Sequence, residues 1–161
     1  MDPQTLVPDL IVRDATTADA DAIVAFQQAM ARETEGKSLD GGVLQKGVNA
    51  VFGAPEKGSY LVAEADGRVV GSLLVTFEWS DWRSATFWWI QSVFVDAQWR
   101  RKGVYRALHG HVLEAARATD GVCGVRLYVD RDNHGAQQTY RSLGMAKSHY
   151  DMYEVDFVLA G

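Results

Sequence analysis

Residues 87–113 have the sequence FWWIQSVFVDAQWRRKGVYRALHGHVL. An aromatic and β-branched run at 88–95 is followed by a polar segment at 96–102, and after Gly103 the apolar residues recur at helical spacing. This succession predicts a strand, a loop and a helix. The first turn of a helix has unpaired N–H groups and the positive end of the helix dipole, so its junction with a basic loop favours an anion. A phosphate or pyrophosphate is the anion most easily held there.

The chain of 161 residues contains no Pro/Gly/Ser-rich linker, which predicts a single domain over residues 1–161. The net charge of −5 and the isoelectric point near 5.3 disfavour a general binder of nucleic acid or of anionic membranes. No stretch of about 18 apolar residues is present, and the amino terminus lacks a signal-like pattern. We therefore expect a cytoplasmic protein without membrane or nucleic-acid partners. The single cysteine, Cys123, cannot form an internal disulfide and is expected to be buried.

The elements on either side of the central stretch are predicted from apolar periodicity. Before it, the pattern predicts a strand at 10–13, helices at 20–32 and 43–52, and strands at 59–64 and 68–78. The Asp66-Gly67 pair between the last two strands is typical of a hairpin. After it, a strand is expected at 122–129, a helix at 133–143 and a final strand at 150–159. The order β-α-α-β-β-β-α-β-α-β predicts a mixed α/β sheet flanked by helices, with the strand at 87–95 central and covered on both faces.

Two separated motifs give the chain a resemblance to a known family. The segment Arg100–Tyr105, RRKGVY, is similar to the pyrophosphate loop of the GNAT superfamily of acetyl-CoA-dependent N-acetyltransferases. The second motif consists of Asn133, Ala136, Tyr140, Gly144 and Met145. Together with the element order, the resemblance covers essentially the whole chain. It implies a mixed, mostly antiparallel sheet with a splayed pair of strands and about four flanking helices.

The resemblance also implies acetyl-CoA as the acyl donor. Main-chain N–H groups of the basic loop would hold the pyrophosphate, and Gly103 would permit close backbone approach. Tyr105 departs from the family pattern, which usually has Gly or Ala, so its side chain must turn away from the phosphates or the loop must differ. The alternatives are a solvated surface turn for the loop and an ordinary helix start for Asn133. The expected cofactor-binding residues are Val93, Phe94, Val95, Arg100, Arg101, Lys102, Gly103, Val104, Tyr105, Arg106, Asn133, Ala136 and Tyr140.

Two residues are candidates for proton transfer. A thiol has a reference pKa near ~8.5 and a tyrosine near ~10, so Tyr140 would be protonated at neutral pH and could donate to the departing sulfur. Its alternative role is core packing on its helix. Some family members use a glutamate on the central strand as the base, but Gln91 stands in that region and cannot take a proton. Glu78 on the adjoining strand is therefore the candidate base. A chain of ordered water is the rival, and a solvated surface position is the alternative reading of Glu78.

The resemblance places the acceptor pocket between the early helices and the later strands. Carboxylates beside aromatic rings would suit a cationic amine. The alternative for the tryptophans is a core or interface cluster, and that cluster with the final strand could support a homodimer. No metal site is expected, because His109 and His111 are two apart on a helix and point in different directions. The expected acceptor-binding residues are Glu33, Glu35, Trp79, Asp81, Trp82 and Tyr150.

These expectations combine into one predicted function and two rivals. The chain is expected to transfer an acetyl group directly from acetyl-CoA to a small-molecule or peptide amine, without an acyl-enzyme. One rival keeps the fold and uses a longer acyl-CoA. The other is a non-catalytic acyl-CoA-binding or sensor domain that has lost its base. Gln91, in the region where some family members have a glutamate, makes this rival possible. The identity of the amine stays open at this stage.

Overall fold

The computed structural model describes Val7 and residues 9–159 of the chain. The described residues divide into two compact units, one ending at Tyr128 and one beginning at Val129.

A five-stranded mixed sheet dominates the first unit. Its strands follow chain order, β1-β2-β3-β4-β5, and every neighbouring pair is antiparallel except β4 and β5, which are parallel. The predicted mixed, mostly antiparallel sheet is therefore confirmed. The strand predicted as central is an interior strand next to the edge, because only β5 lies beyond it. The strands are β1 (Ile11–Asp14), β2 (Ser59–Ala65), β3 (Arg68–Ser80), β4 (Ala85–Val95) and β5 (Val122–Arg126).

Three helices cover the two faces of this sheet. They are α1 (Ala20–Glu35), α2 (Gly41–Gly53) and α3 (Val104–Ala118), and single 3₁₀ turns occur at Thr17–Asp19 and Ala97–Trp99. The predicted helices at 20–32 and 43–52 are thus confirmed, and each extends beyond its predicted end. None of the helices in the described part of the chain has the length and apolar character needed to cross a lipid bilayer.

Successive residues of β2 point to opposite faces and supply two separate cores. Leu61 and Ala63 pack with the α3 residues Val104, Leu108 and Val112 on one face. On the other face, Val62 packs with Ile23 of α1 and Val48 of α2. The sheet is therefore covered on both sides by apolar helix faces, which is why its inner strands read as nearly continuous apolar runs.

Two irregularities bend the sheet. At the hairpin between β2 and β3, Asp66 and Gly67 have φ of 51° and 72°, as the predicted tight turn requires. In β4, Ser92 has a φ of 52°. Ser72 faces Phe94 whereas Leu74 faces Gln91, so one residue of β3 lies opposite two residues of β4. This is a β-bulge, which redirects the end of β4.

The parallel pair separates before β4 ends. The last register pair between β4 and β5 is Trp89 with Arg126, and β4 continues for the segment 90–95 beyond it. A separation at this place is what the expected splayed pair of strands requires. The predicted strand at 122–129 is accordingly shorter and ends at Arg126. Cys123 in this edge strand is half-buried, so the expected burial of its thiol is only partial.

The described residues of the second unit contain one helix, α4 (His134–Ser142), followed by an irregular segment. Asn133 caps α4 by accepting a hydrogen bond from the Ala136 N–H at 3.1 Å, and Gly144 ends the helix with a φ of 91°. The predicted strand at 150–159 is wrong, because these described residues form no ladder and Tyr153 and Phe157 are 95% and 93% exposed. An alternating apolar pattern becomes a strand only where a partner strand supplies hydrogen bonds, and the pattern itself does not reveal the partner.

The cap of α2 provides a stability prediction. The Asp40 carboxylate accepts a hydrogen bond from the Val43 N–H at 2.9 Å. We expect Asp40→Ala to lower the free energy of unfolding by about 1 kcal/mol in urea titrations, because the helix start loses its acceptor. Asp40→Asn should cost much less, since asparagine also caps. An equal loss in both variants would contradict the capping explanation.

Candidate active site

The junction between the basic loop and α3 has an unusual backbone. Arg101 and Gly103 have φ of 60° and 81°, and Gly103 is the residue that precedes the first turn of α3. It has no side chain with which to cap the helix, and the first intrahelical bond runs from the Ala107 N–H to the Gly103 carbonyl at 3.0 Å. The N–H groups of the first helical turn precede that bond, and they form the kind of site that attracts an anion.

Tyr105, the departure from the family pattern, has its side chain directed along α3. Its hydroxyl lies 3.0 Å from Nδ1 of His109 one turn later, and the two rings meet edge to face at 5.5 Å. Burial lowers the pKa of His109, which favours the neutral imidazole. Tyr105 also packs against the core on the α3 side of the sheet. A bulky residue is therefore accommodated here by turning toward the helix interior.

Arg100 ties the loop to α1. Its guanidinium donates to Glu33 at 2.7 Å and to the Val95 carbonyl at 2.9 Å, and it lies 5.3 Å from the Phe94 ring centre. A residue predicted for the cofactor is thus paired with one predicted for the acceptor. Lys102 lies over the Trp99 ring, and neither Lys102 nor Arg101 has an ion pair within the described residues. These two side chains keep their charge available at the loop.

The segment Val93–Val95 follows the β4 bulge. Phe94 packs against Phe26 of α1 with ring centres 5.0 Å apart, while Val93 and Val95 pack on the opposite, α3 side. The side chains of this segment therefore pack on both faces of the sheet. The backbone of this segment lies beyond the last β4–β5 pair, at the place where the two strands have parted.

Glu78, the predicted base, is held by a cation. Its Oε1 accepts a hydrogen bond from Arg126 Nη1 at 2.7 Å across the sheet. The Arg126 guanidinium also stacks 3.5 Å from the centre of the Phe87 ring. Gly124 makes room for that ring, since a Cβ there would lie 2.7 Å from it. Sequence reasoning missed Arg126, although it is the only charged residue of β5 and could have been noticed for that reason.

Gln91 occupies the place where a base would be sought on β4. Its side-chain amide donates to the Thr76 hydroxyl at 2.6 Å, and Thr76 belongs to the neighbouring strand β3. The amide therefore links the two strands, and it has no group basic enough to take a proton from an amine.

The predicted acceptor-binding residues fall into separate places. Glu33 pairs with Arg100, and Glu35 lies 3.8 Å from Lys37, so the carboxylates at the end of α1 already face cations. Trp79, near the end of β3, and Trp82, in the turn between β3 and β4, are 64% and 88% exposed. Asp81 in that turn accepts a hydrogen bond from the Trp82 N–H at 2.9 Å, which explains an acidic residue between two tryptophans. In the described chain, no hydrogen bond or ion pair links Glu33 or Glu35 to the second group, which consists of Trp79, Asp81 and Trp82. Tyr150 lies in the second unit and is exposed.

Tyr140 is a residue of α4 in the second unit. Burial raises the pKa of its phenol above the ordinary value of 10.0. A phenol with a raised pKa stays protonated throughout the neutral range and can donate a proton. Asn133 in the same unit uses its side-chain oxygen for the helix cap, which is its ordinary structural role. Among the residues that the structure describes, no group of three or more His, Cys, Asp or Glu could hold a metal ion.

Comparisons with known proteins agree on one family. The profile described as "Acetyltransferase (GNAT) family" matches residues 24–145. A crystal structure described as a "possible acetyltransferase" from Clostridium difficile 630 is 42% identical, with a TM-score of 0.86 over 92% of this chain and 98% of that one. None of the curated protein sequences compared with the chain matches it.

Two more distant structures share the fold. An integron cassette protein from the mobile metagenome of Cole Harbour Salt Marsh is 20% identical, with a TM-score of 0.81 over 96% of this chain and 93% of that one. An aminoglycoside acetyltransferase from an uncultured soil metagenomic sample, solved with sisomicin, is 20% identical, with a TM-score of 0.72 over 92% and 96% of the two chains. At this identity, the likeness concerns the fold alone.

Proposed function

The chain belongs to the acetyltransferase (GNAT) family, and on that premise we propose that it moves an acetyl group directly from acetyl-CoA to an amine. The observation that carries the proposal is the junction at Gly103. Its positive φ, its lack of a side-chain cap and the basic residues beside it suit a pyrophosphate at the start of α3. The coenzyme would supply an activated acyl thioester.

The residues of this chain would bind and orient that donor. Main-chain N–H groups in the segment 101–106 would hold the diphosphate, with Arg101 and Lys102 adding favourable charge. Backbone groups of Val93–Val95 would hold the pantetheine arm beyond the β4–β5 separation. Asn133 and Ala136 are proposed for the same arm, and Tyr140 is proposed as the acid that protonates the departing thiolate. We further propose a cytoplasmic location and a homodimer.

The decisive experiment measures release of free coenzyme A thiol from acetyl-CoA with a panel of amines. We expect release that depends on both the enzyme and one amine class, together with calorimetric binding of acetyl-CoA. Tight binding of acetyl-CoA without thiol release from any amine would support the second candidate, an acyl-CoA sensor. That candidate is favoured by Gln91 at the place of a base and by the Arg126 partner of Glu78. Calorimetry with longer acyl-CoAs decides whether the donor carries a longer chain.

Glu78 remains the proposed base, and its replacement gives a direct prediction. An alkylamine must lose a proton before attack, so a missing base is expected to lower kcat/KM at least ~tenfold near neutral pH and to change the pH dependence of the rate. The change is Glu78→Gln, with Glu114→Gln on the exposed surface of α3 as the control for loss of one negative charge. A normal pH–rate profile in Glu78→Gln would rule out Glu78 as the base and favour a chain of ordered water in that role.

The acceptor is proposed to be a small-molecule or peptide amine. A protein that shares the fold is described as an aminoglycoside acetyltransferase and was solved with sisomicin, so an aminoglycoside belongs in the acceptor panel. Glu33, Glu35, Trp79, Asp81, Trp82 and Tyr150 are the residues proposed to contact the acceptor. The ion pairs at Glu33 and Glu35 leave less negative charge for a polycationic acceptor than the sequence suggests.

A further inference from the structure

Arg126 stands at the point where the two parallel strands separate. It pairs with Trp89 in the last register step between β4 and β5, and it is the only charged residue of β5. Under the proposed function, the reacting thioester would lie near this separation, beside the Val93–Val95 backbone. The guanidinium itself lies over Phe87, on the paired side of this separation, so an acceptor whose amine reaches the thioester would extend toward it.

Three neighbours fix the orientation of this guanidinium. Phe87 lies beneath it at 3.5 Å, Glu78 accepts one hydrogen bond at 2.7 Å, and Gly124 leaves the space that the Phe87 ring fills. Arginine stacked on an aromatic face loses little further entropy when it binds a planar anion. The side chain is preorganised, yet one third of it remains exposed.

Part of the guanidinium is still available for binding. Only Nη1 makes a hydrogen bond within the described residues, so the edge formed by Nε and Nη2 has no protein partner there. That edge carries two parallel N–H groups, whose spacing matches the two oxygens of a carboxylate. Arg126 therefore binds Glu78 through Nη1 and keeps its Nε–Nη2 edge available for a second carboxylate.

A second cation strengthens the positive charge. Arg83 lies 4.8 Å from the same Phe87 ring, and its hydrogen bond goes to the neutral Ser80 hydroxyl. The cluster Arg83–Arg126–Glu78 thus has two positive charges and one negative charge, in a protein whose net charge is −5. Asp81 lies in the turn that also contains Arg83, and its carboxylate accepts a hydrogen bond from the Trp82 N–H.

We propose that the acceptor amine also carries a carboxylate and that Arg126, assisted by Arg83, binds it. The acceptor class is then amino acids and related amino carboxylic acids. This inference rests on the proposed function and narrows its substrate. It assigns Arg126 to specificity and not to the chemical step, because two N–H donors would position the acceptor through a group that does not react.

The test compares amino acids with the amines that lack their carboxylate. Thiol release from acetyl-CoA is measured for α-amino acids, β-alanine and 4-aminobutyrate, and for the matching decarboxylated amines. We expect kcat/KM to favour at least one amino acid over its amine by at least ~tenfold, because the amine leaves the arginine edge unpaired. Equal values across every pair, or a preference for the amines, would overturn the proposal.

Variants test whether Arg126 causes the preference for amino acids. The ratio of kcat/KM for an amino acid to kcat/KM for its matching amine should fall to about one in Arg126→Gln, mainly through KM. Arg126→Lys should keep part of the preference, because the charge remains but the two parallel N–H donors are lost. Arg68→Gln, at the far end of β3, removes the same charge and should leave the ratio unchanged. A ratio that survives in Arg126→Gln contradicts the assignment.

A binding measurement separates this proposal from failure of the proposed function. The Nε–H signals of arginine in ¹⁵N-labelled protein are followed during titration with sodium N-acetylglycine, which has a carboxylate but no reactive amine. One signal that shifts to saturation and is missing in Arg126→Gln supports the carboxylate site, even if no amine releases thiol. Unchanged arginine signals overturn it, whatever the acetyltransferase assay shows.

Discussion

Tyr140→Phe is expected to lower kcat for acetyl transfer at least ~tenfold while leaving the KM for acetyl-CoA within about twofold of wild type. The departing thiolate needs a proton, and the phenol is the proposed donor. Burial raises its pKa, so the protonated form persists at neutral pH and is lost only as the pH rises above the ordinary tyrosine range. The variant removes the hydroxyl and keeps the ring, so packing on α4 should survive.

The measurement combines initial rates with thermal unfolding. Tyr153→Phe is the matched control, because that phenol belongs to the same unit and is 95% exposed. Tyr140→Phe should retain the melting temperature and the calorimetric affinity for coenzyme A. An unchanged kcat would eliminate the acid role and leave Tyr140 as a packing residue. A fall in kcat that is accompanied by a lower melting temperature would also indicate that Tyr140 is a packing residue.

Gly103→Val is expected to weaken binding of coenzyme A at least ~tenfold, because a β-branched residue at positive φ costs of order 1–3 kcal/mol and must distort the loop. Gly103 has a φ of 81° immediately before the first turn of α3. Any distortion there moves the N–H groups that are proposed to hold the diphosphate. Gly103→Ala also places a Cβ at this positive φ but adds less bulk, so it should lower the affinity for coenzyme A by less than Gly103→Val does.

Calorimetry with two ligands tests the cause of that loss. S-acetylpantetheine lacks the diphosphate, so its affinity should change little in Gly103→Val while that of coenzyme A falls. Gly110→Ala is the control on the same helix, since a Cβ there meets open space and alanine favours helix. Binding of coenzyme A equal to wild type in Gly103→Val would show that the diphosphate lies elsewhere.

The predicted elements that agree with the structure depend on short-range signals. The hairpin at Asp66-Gly67 and the cap at Asn133 involve residues within a few positions of one another, so both were readable from the sequence. The loop and helix around Gly103 are likewise contiguous. The bulge at Ser92 was not foreseen, because serine gives no signal for a positive φ and the bulge depends on register with β3.

The sequence by itself determined the family, the order of local elements through α4 and the position of the basic loop before α3. Only the tertiary structure decided that Arg100 pairs with Glu33, 67 positions away, and that Arg126 pairs with Glu78, 48 positions away. It also decided that residues 150–159 form no strand among the described residues. The physical reason is range: caps, turns and apolar periodicity act between near neighbours, whereas ion pairs and strand pairing require a partner that the folded chain brings from far along the sequence.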